Sequence, residues 1–254
     1  MLNAMNITVG YGDRAILKNL SVSIPEGKVT ALIGPNGCGK STLLKTLSRV
    51  ITPSSGLVQF NGRPLNKWVS KAIAQHISLL PQNLHHPEGI TVRQLVEYGR
   101  TPYVSHWGRL TQADQHVVEQ AMVRTGVDEL QHTLLDNLSG GQRQRAWIAM
   151  ILAQDTEVVM LDEPTTFLDL SHQIELMHII RDMQATGKTV VVVLHDLNQA
   201  ARYCDHLVVL KGGAIEAEGE PEVIMTHQLL DDVFSVKARV VADPVSGTPL
   251  CVPL

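Results

Sequence analysis

Residues 31–50 read ALIGPNGCGKSTLLKTLSRV, an apolar strand that runs through a glycine-rich loop into a helix. No other stretch restricts the fold of this chain as much. The glycines of GPNGCGKST (34–42) let successive backbone amides wrap phosphate oxygens, and the start of the next helix adds a partial positive charge. Such a loop needs a buried strand before it and a helix after it, so the sequence is committed to an α/β fold. Gly34, Pro35, Asn36, Gly37, Cys38, Gly39, Lys40, Ser41 and Thr42 are its expected nucleotide-phosphate residues. Lys40 suits the β- and γ-phosphates and the Ser41 hydroxyl suits Mg²⁺. Cys38 sits where a helix start favours a thiolate, or is simply a small residue tolerated for size.

The remainder of the chain fits around that unit. NITVGYG, LSVSIPEGK and GLVQFNGR read as strands split by turns at Pro25-Glu26-Gly27 and Asn61-Gly62. The helix after the loop is expected to run on to Thr52-Pro53. From 83 to 155 the pattern is mostly helical, with TVRQLVEYG, QADQHVVEQAMVRTG and GQRQRAWIAMILAQ. Strands return with EVVMLDEP and TVVVVLHD around a helix at SHQIELMHIIRDMQATG, and DHLVVLKGGAIEAEG reads as a hairpin turning on Gly212-Gly213. Strands alternating with helices imply a mainly parallel sheet covered on both faces.

Composition removes other classes. A net charge of −4 argues against a polybasic nucleic-acid surface. Three scattered cysteines, Cys38, Cys204 and Cys251, have no metal-ligand spacing and read as reduced thiols. The start lacks a basic region leading into a long apolar run, so no secretory signal is expected. AWIAMILA and TVVVVL are too short to span a membrane, so any membrane role requires another protein to hold the chain there.

Two further stretches carry chemistry. EVVMLDEPT is a buried strand ending in Asp162 and Glu163. At the carboxyl end of a parallel strand near a P-loop, Asp162 would hold the Mg²⁺ shell and Glu163 would polarise an attacking water. LSGGQRQRA (138–146) places a second glycine pair at a second helix start, about a hundred residues from the first. A second amide-rich helix start needs an anion of its own, or a share in another one.

With these motifs the chain resembles the ATP-binding subunits of ABC transporters. LSGGQ matches that family's signature, and the other marks follow in order: Tyr11, Gln82 after an apolar strand, Asp169 in FLDL, and His195 ending VVVVLH. The resemblance covers nearly the whole chain. It implies a single domain over 1–254, with a RecA-like P-loop NTPase core and an N-terminal antiparallel β subdomain at about 1–82 and 156–254. A helical subdomain at about 83–155 would carry the signature.

It also implies ATP and Mg²⁺ as cofactors and a head-to-tail homodimer. Ser139, Gly140, Gly141 and Gln142 of one chain would cover the γ-phosphate held by the P-loop of the other. Ser41, Gln82 and Asp162 would form the Mg²⁺ shell; Glu163, His195 and Gln82 would act on the water. Asp169 would bridge the subunits near the nucleotide. Tyr11 would stack on adenine, or is only a strand residue packing on its sheet.

Two stretches narrow the branch. The segment from Pro87, with Tyr98, Tyr103 and Trp107, resembles that of ATPases importing ferric siderophores, ferric citrate, haem and cobalamin, and the tail from Phe234 resembles the end of the ferric-siderophore branch. The SLLPQ, GITV and WGRL pieces fall closest to the ferric-citrate branch. The implied function is ATP hydrolysis that energises iron(III)-chelate import. The implied partners are transmembrane permease subunits and, indirectly, a periplasmic or lipid-anchored binding protein, with the chain at the cytoplasmic face of the inner membrane and no nucleic acid involved. Import of cobalamin, haem or manganese is the nearest alternative; a non-transport P-loop kinase or switch leaves LSGGQ and His195 without a role, and the presence of both Glu163 and His195 opposes a module without turnover. The three aromatics form either a local core or a cleft gripping the permease. His85-His86 reads as surface, since adjacent histidines point apart and no further ligands cluster beside them.

Overall fold

The computed structural model describes residues 1–12, 14–104, 108–166 and 168–254. They fall into two compact units, one formed by Met1–Trp68 with Arg181–Leu254 and the other by Val69–Ile180.

In the first unit, β1 (Leu2–Tyr11) pairs antiparallel with β2 (Arg14–Ile24) and with β4 (Ser55–Phe60), and β4 continues to the short β5 (Arg63–Pro64). Alternation on either side of an irregularity at Asn6 (φ 48°) explains this sheet: Leu2 and Ala4, then Ile7 and Val9, are buried. The second sheet of this unit has β3 (Val29–Ile33) in parallel register with β8 (Thr189–Val193) on one side and β9 (His206–Lys211) on the other. Every residue of β3 and β8 is buried, as strands covered on both faces require. β9 turns back into the antiparallel β10 (Ala214–Gly219). The turn uses Gly212 and Gly213 at φ 58° and 87°, so both glycines named from sequence sit in the left-handed region that a two-residue hairpin demands.

Helix α1 (Lys40–Leu47) packs on β8 and the first sheet. It stops at Leu47, well before the expected Thr52-Pro53. Arg49 adopts φ 65°, and the amides of Val50 and Ile51 both return to the Lys45 carbonyl, which closes the helix without help from proline. The unit also holds α7 (Leu197–Tyr203), α8 (Pro221–Ile224), α9 (His227–Phe234) and the hairpin β11 (Ala238–Ala242) with β12 (Pro249–Pro253). The reading from sequence named none of these four features, because each is short and only partly buried.

In the second unit, α2 (Ser70–Ile73) precedes β6 (Ile77–Leu80), which pairs in parallel with β7 (Val158–Asp162). Helices α3 (Val92–Tyr98), α4 (Gln112–Arg124) and α5 (Gly140–Gln154) pack on one another. A buried ion pair ties them: Arg100 Nε donates to Asp114 at 2.8 Å, and its Nη1 donates to the Ala153 carbonyl at 2.9 Å. The Asp114 carboxyl is held below its ordinary pKa, chiefly by the Thr111 hydroxyl with which it forms a capping box, and by Arg100. Helix α6 (Leu170–Ala185) runs across the boundary between the units.

Candidate nucleotide site

The first unit supplies the phosphate loop. Between β3 and α1 the backbone takes φ 147° at Gly34, 76° at Gly37 and 110° at Gly39. A Cβ at Gly34 would lie 2.2 Å from the Leu210 carbonyl, so this corner admits glycine alone. Gly39 is the N-cap of α1 and brings no side-chain cap, nor does the first turn contain an acid. The opening amides of the helix therefore remain for an external anion. Lys40 is buried at 5 % exposure, and its ammonium donates to the carbonyls of Gly34 at 2.8 Å and Pro35 at 3.1 Å. It lies beneath the loop, satisfied by the same backbone that wraps phosphate. Ser41 is half-buried, Thr42 is buried, and Asn36 and Gly37 are exposed.

Cys38 corrects one expectation. Its thiol is buried, and burial raises its pKa more than the nearby Lys40 charge and the loop amides lower it. Burial and that upward shift favour the reading of a small residue over that of a thiolate. Tyr11 ends β1 with 57 % of its surface exposed, so it is not a packing residue of its sheet and its ring is open to a planar ligand. His195 follows β8 and is exposed. Its neighbour Asp196 caps α7 by accepting from the amides of Asn198 and Gln199 at 2.8 and 3.0 Å.

The second unit supplies the acids and the signature. Asp162 ends β7 with 1 % exposure. Glu163, next in the chain, sits at φ 53°, a left-handed conformation that a non-glycine residue adopts at a cost and that turns its side chain away from the strand direction. Gln82 Nε2 donates to Glu163 Oε2 at 2.6 Å. The loop after β6 and the turn after β7 are thus joined by the two side chains named from sequence. With the amide nitrogen engaged, the carbonyl oxygen is the Gln82 atom that would be offered to a cation. Gln144, which the sequence reading passed over, donates to the Pro164 carbonyl at 3.0 Å and ties the signature helix to the same turn. Its signal was a polar residue on the buried face of α5.

In the signature, Ser139 Oγ accepts from the Gln142 amide at 3.2 Å while Gln142 Oε1 accepts from the Ser139 amide at 3.0 Å. This capping box occupies both side chains and leaves the amides of Gly140 and Gly141 without intrahelical acceptors. A Cβ on Gly140 would meet nothing within 4 Å, one on Gly141 would meet His172 and Leu168 only at 3.6 Å, and neither glycine has a positive φ. Among the described residues, nothing inside the unit requires their smallness. It leaves room for something outside it.

Asp169 accepts from the His172 amide at 3.0 Å and the Ser171 hydroxyl at 2.9 Å, and these bonds hold its carboxyl below the ordinary pKa. Of the three aromatics, Tyr103 is structural: its hydroxyl donates to the Gln154 carbonyl at 2.9 Å and Arg100 lies 3.9 Å over its ring. Tyr98 instead lines a groove of about 800 Å³ with Ala74, Ile90, Pro102 and Val104. Trp107 lies outside the described residues. His85 is exposed, but the His86 side chain is only 10 % exposed and lies 3.8 Å from Asp136, so the pair is not all surface. Among the described residues no cluster of histidine, cysteine and acid could hold a metal ion by itself, and no helix is long and apolar enough to cross a membrane.

A glycine cradle opening an uncapped helix after a buried parallel strand defines a P-loop nucleotide-binding fold. Comparison with known proteins narrows this class. The family model for ABC transporters matches residues 17–166. The ferric enterobactin transport ATP-binding protein FepC of Escherichia coli K12 is 48 % identical over 254 residues, covering 100 % of this chain and 94 % of the relative. The iron(3+)-hydroxamate import ATP-binding protein FhuC of Bacillus subtilis 168 is 46 % identical over 251 residues, 98 % of this chain and 93 % of the relative. Among solved structures, an ABC transporter described as of the metal-chelate type, in an inward-facing conformation, aligns with a TM-score of 0.85 and 27 % identity over 100 % of this chain and 96 % of that one. The chain belongs to the ABC transporter family and is an ATP-binding subunit of it, an ATPase.

Proposed function

We propose that this ATPase energises import of an iron(III) chelate of the siderophore type. The support is nearly full-length similarity to two ATP-binding proteins whose names specify ferric enterobactin and iron(3+)-hydroxamate. The ferric-citrate branch rests on the local SLLPQ, GITV and WGRL pieces alone, so the siderophore class is the cargo we assign. The subunit docks on transmembrane permease subunits at the cytoplasmic face of the membrane. The Tyr98 groove, apolar and about 800 Å³, is the surface we assign to the permease contact. Cargo reaches the permease from a periplasmic or lipid-anchored binding protein and never touches this chain.

Two copies act as a homodimer with two equivalent sites. In each, the P-loop of one chain cradles the phosphates, Lys40 neutralises the β- and γ-oxygens, and Tyr11 stacks on adenine. The free amides of Gly140 and Gly141, fixed by the Ser139–Gln142 box, clasp the γ-phosphate from the partner, and Asp169 lies at the subunit boundary. The residues present fit Mg²⁺: the Ser41 hydroxyl, the Asp162 carboxylate and the Gln82 carbonyl are all hard oxygen donors. When bound, Mg²⁺ offsets charge on the β- and γ-phosphates. Glu163 takes the proton of the attacking water, held in place by Gln82, and His195 orients both toward the γ-phosphate. Hydrolysis removes the shared anion and loosens the clasp.

The observation that carries the catalytic reading is Glu163 at φ 53° with its carboxylate bonded by Gln82. Its test is Glu163→Gln. The amide keeps shape but cannot accept the proton, so phosphate release should fall by ~10²–10⁴-fold while ATP binding persists. Turnover near wild type would remove Glu163 from the role of base.

A further inference from the structure

Within the second unit, the end of α4, the middle of α5 and the first half of α6 enclose a cavity of about 390 Å³ that no step above uses. Its polar wall contains Arg124 and Arg145; its apolar wall contains Ile148 and Leu176. Among the described residues Arg145 Nε has no hydrogen-bond acceptor, its charge is felt by Asp169, and Arg124 stands exposed at the surface. Arg145 Nε is shut away from solvent with no acceptor, which a native interior seldom tolerates unless a bound ion or water is to supply one. A Cβ on Gly126 would lie 3.4 Å from Arg145 Nη1, so this guanidinium ends beside the terminus of α4, where Arg124 also stands.

The neighbouring acids are already engaged. Glu175, on the same wall, accepts from His172 Nδ1 at 3.0 Å, and Asp169 caps α6. Two guanidiniums at one cavity, neither held by a hydrogen bond and only Arg145 within the field of an acid, Asp169, make a fork for oxyanions, since each can offer paired N–H donors to a carboxylate or phosphate. The Ile148, Leu168, Leu176 and Ile179 side chains in the lining favour a ligand with a carbon body over a bare inorganic ion. We infer that this cavity is a binding site for a small polycarboxylate, one carboxylate on each arginine. It lies in the unit that carries the signature, clamping α4, α5 and α6 together, and so gives a metabolite a direct hold on the signature helix.

Calorimetric titration of the full chain tests this. The chain is loaded with ADP to fill the P-loop, magnesium is omitted, and ionic strength is fixed with sodium chloride. Citrate and inorganic phosphate are the probes. Citrate should bind saturably at one site per chain, and more tightly than phosphate. Arg145→Gln and Arg124→Gln should each weaken it by at least ~10-fold, the loss expected for a charge-assisted bidentate contact. Glu175→Gln, which removes the one negative charge on the wall, should tighten it. Arg124 and Glu175 lie at the surface, so these two variants carry the test if Arg145→Gln does not fold. Absence of saturable citrate binding, or binding that ignores all three substitutions, overturns the site. Phosphate binding as tightly as citrate overturns the polycarboxylate assignment.

Discussion

Cys38 shows how two opposing forces on one atom are decided by burial. A helix start and Lys40 both favour its thiolate, yet the thiol is buried and its pKa rises. Cys204 is shifted the same way, with burial the first cause and Asp205 the second. A folded pKa above the ordinary 9.0 favours the neutral thiol in the native state. The stability it contributes is therefore full below pH 9.0 and declines as pH rises above that value. At pH 8 a thiol-specific reagent should modify Cys38 far more slowly in the native chain than in the urea-unfolded one. Equal rates would mean that the loop's positive field outweighs burial. The phosphate loop was legible at this scale because its chemistry is contiguous in sequence. The Gln82–Glu163 bond was not: the partners lie 81 residues apart, and only the parallel pairing of β6 with β7 brings them together.

At the scale of elements, the sequence pattern foretold the long periodic pieces and lost the short ones. Helices α4, α5 and α6 bury one face and repeat accordingly, whereas α8 and the β11–β12 hairpin bury too little to leave a period. The end of α1 was misplaced because a left-handed Arg49 stopped it before the proline could. The signature helix holds the sharper lesson. LSGGQ is at once a family mark and a capping box, and only the second predicts that replacing its serine or its glutamine alone costs the helix its cap. Gly140→Ala should leave the denaturation midpoint unchanged or stabilise the chain by up to ~1 kcal/mol, since alanine suits a helix and meets no neighbour. In the Glu163→Gln background it should nonetheless abolish ATP-induced dimers on size exclusion. A destabilised chain, or dimers of wild-type yield, would show that the glycine serves its own unit instead.

For the whole molecule, the decisive feature is division. The first unit brings the phosphate loop, the second brings the acids and the signature, and among the described residues no neighbour requires the signature's glycines to be small. The proposed site, completed by a second copy, would account for that smallness and would convert hydrolysis into loosening of a dimer. The test is to learn which chain's signature touches a given nucleotide. Isotope-labelled Lys40→Ala chain, which cannot hold ATP in its own P-loop, is mixed with unlabelled Glu163→Gln chain. ATP carrying a photoreactive group on the γ-phosphate is added, the mixture is irradiated, and mass spectrometry locates the adduct. Head-to-tail assembly predicts adducts on the 138–142 peptide of the labelled Lys40→Ala chain. Adducts on that peptide only in chains that keep Lys40 would contradict the shared site.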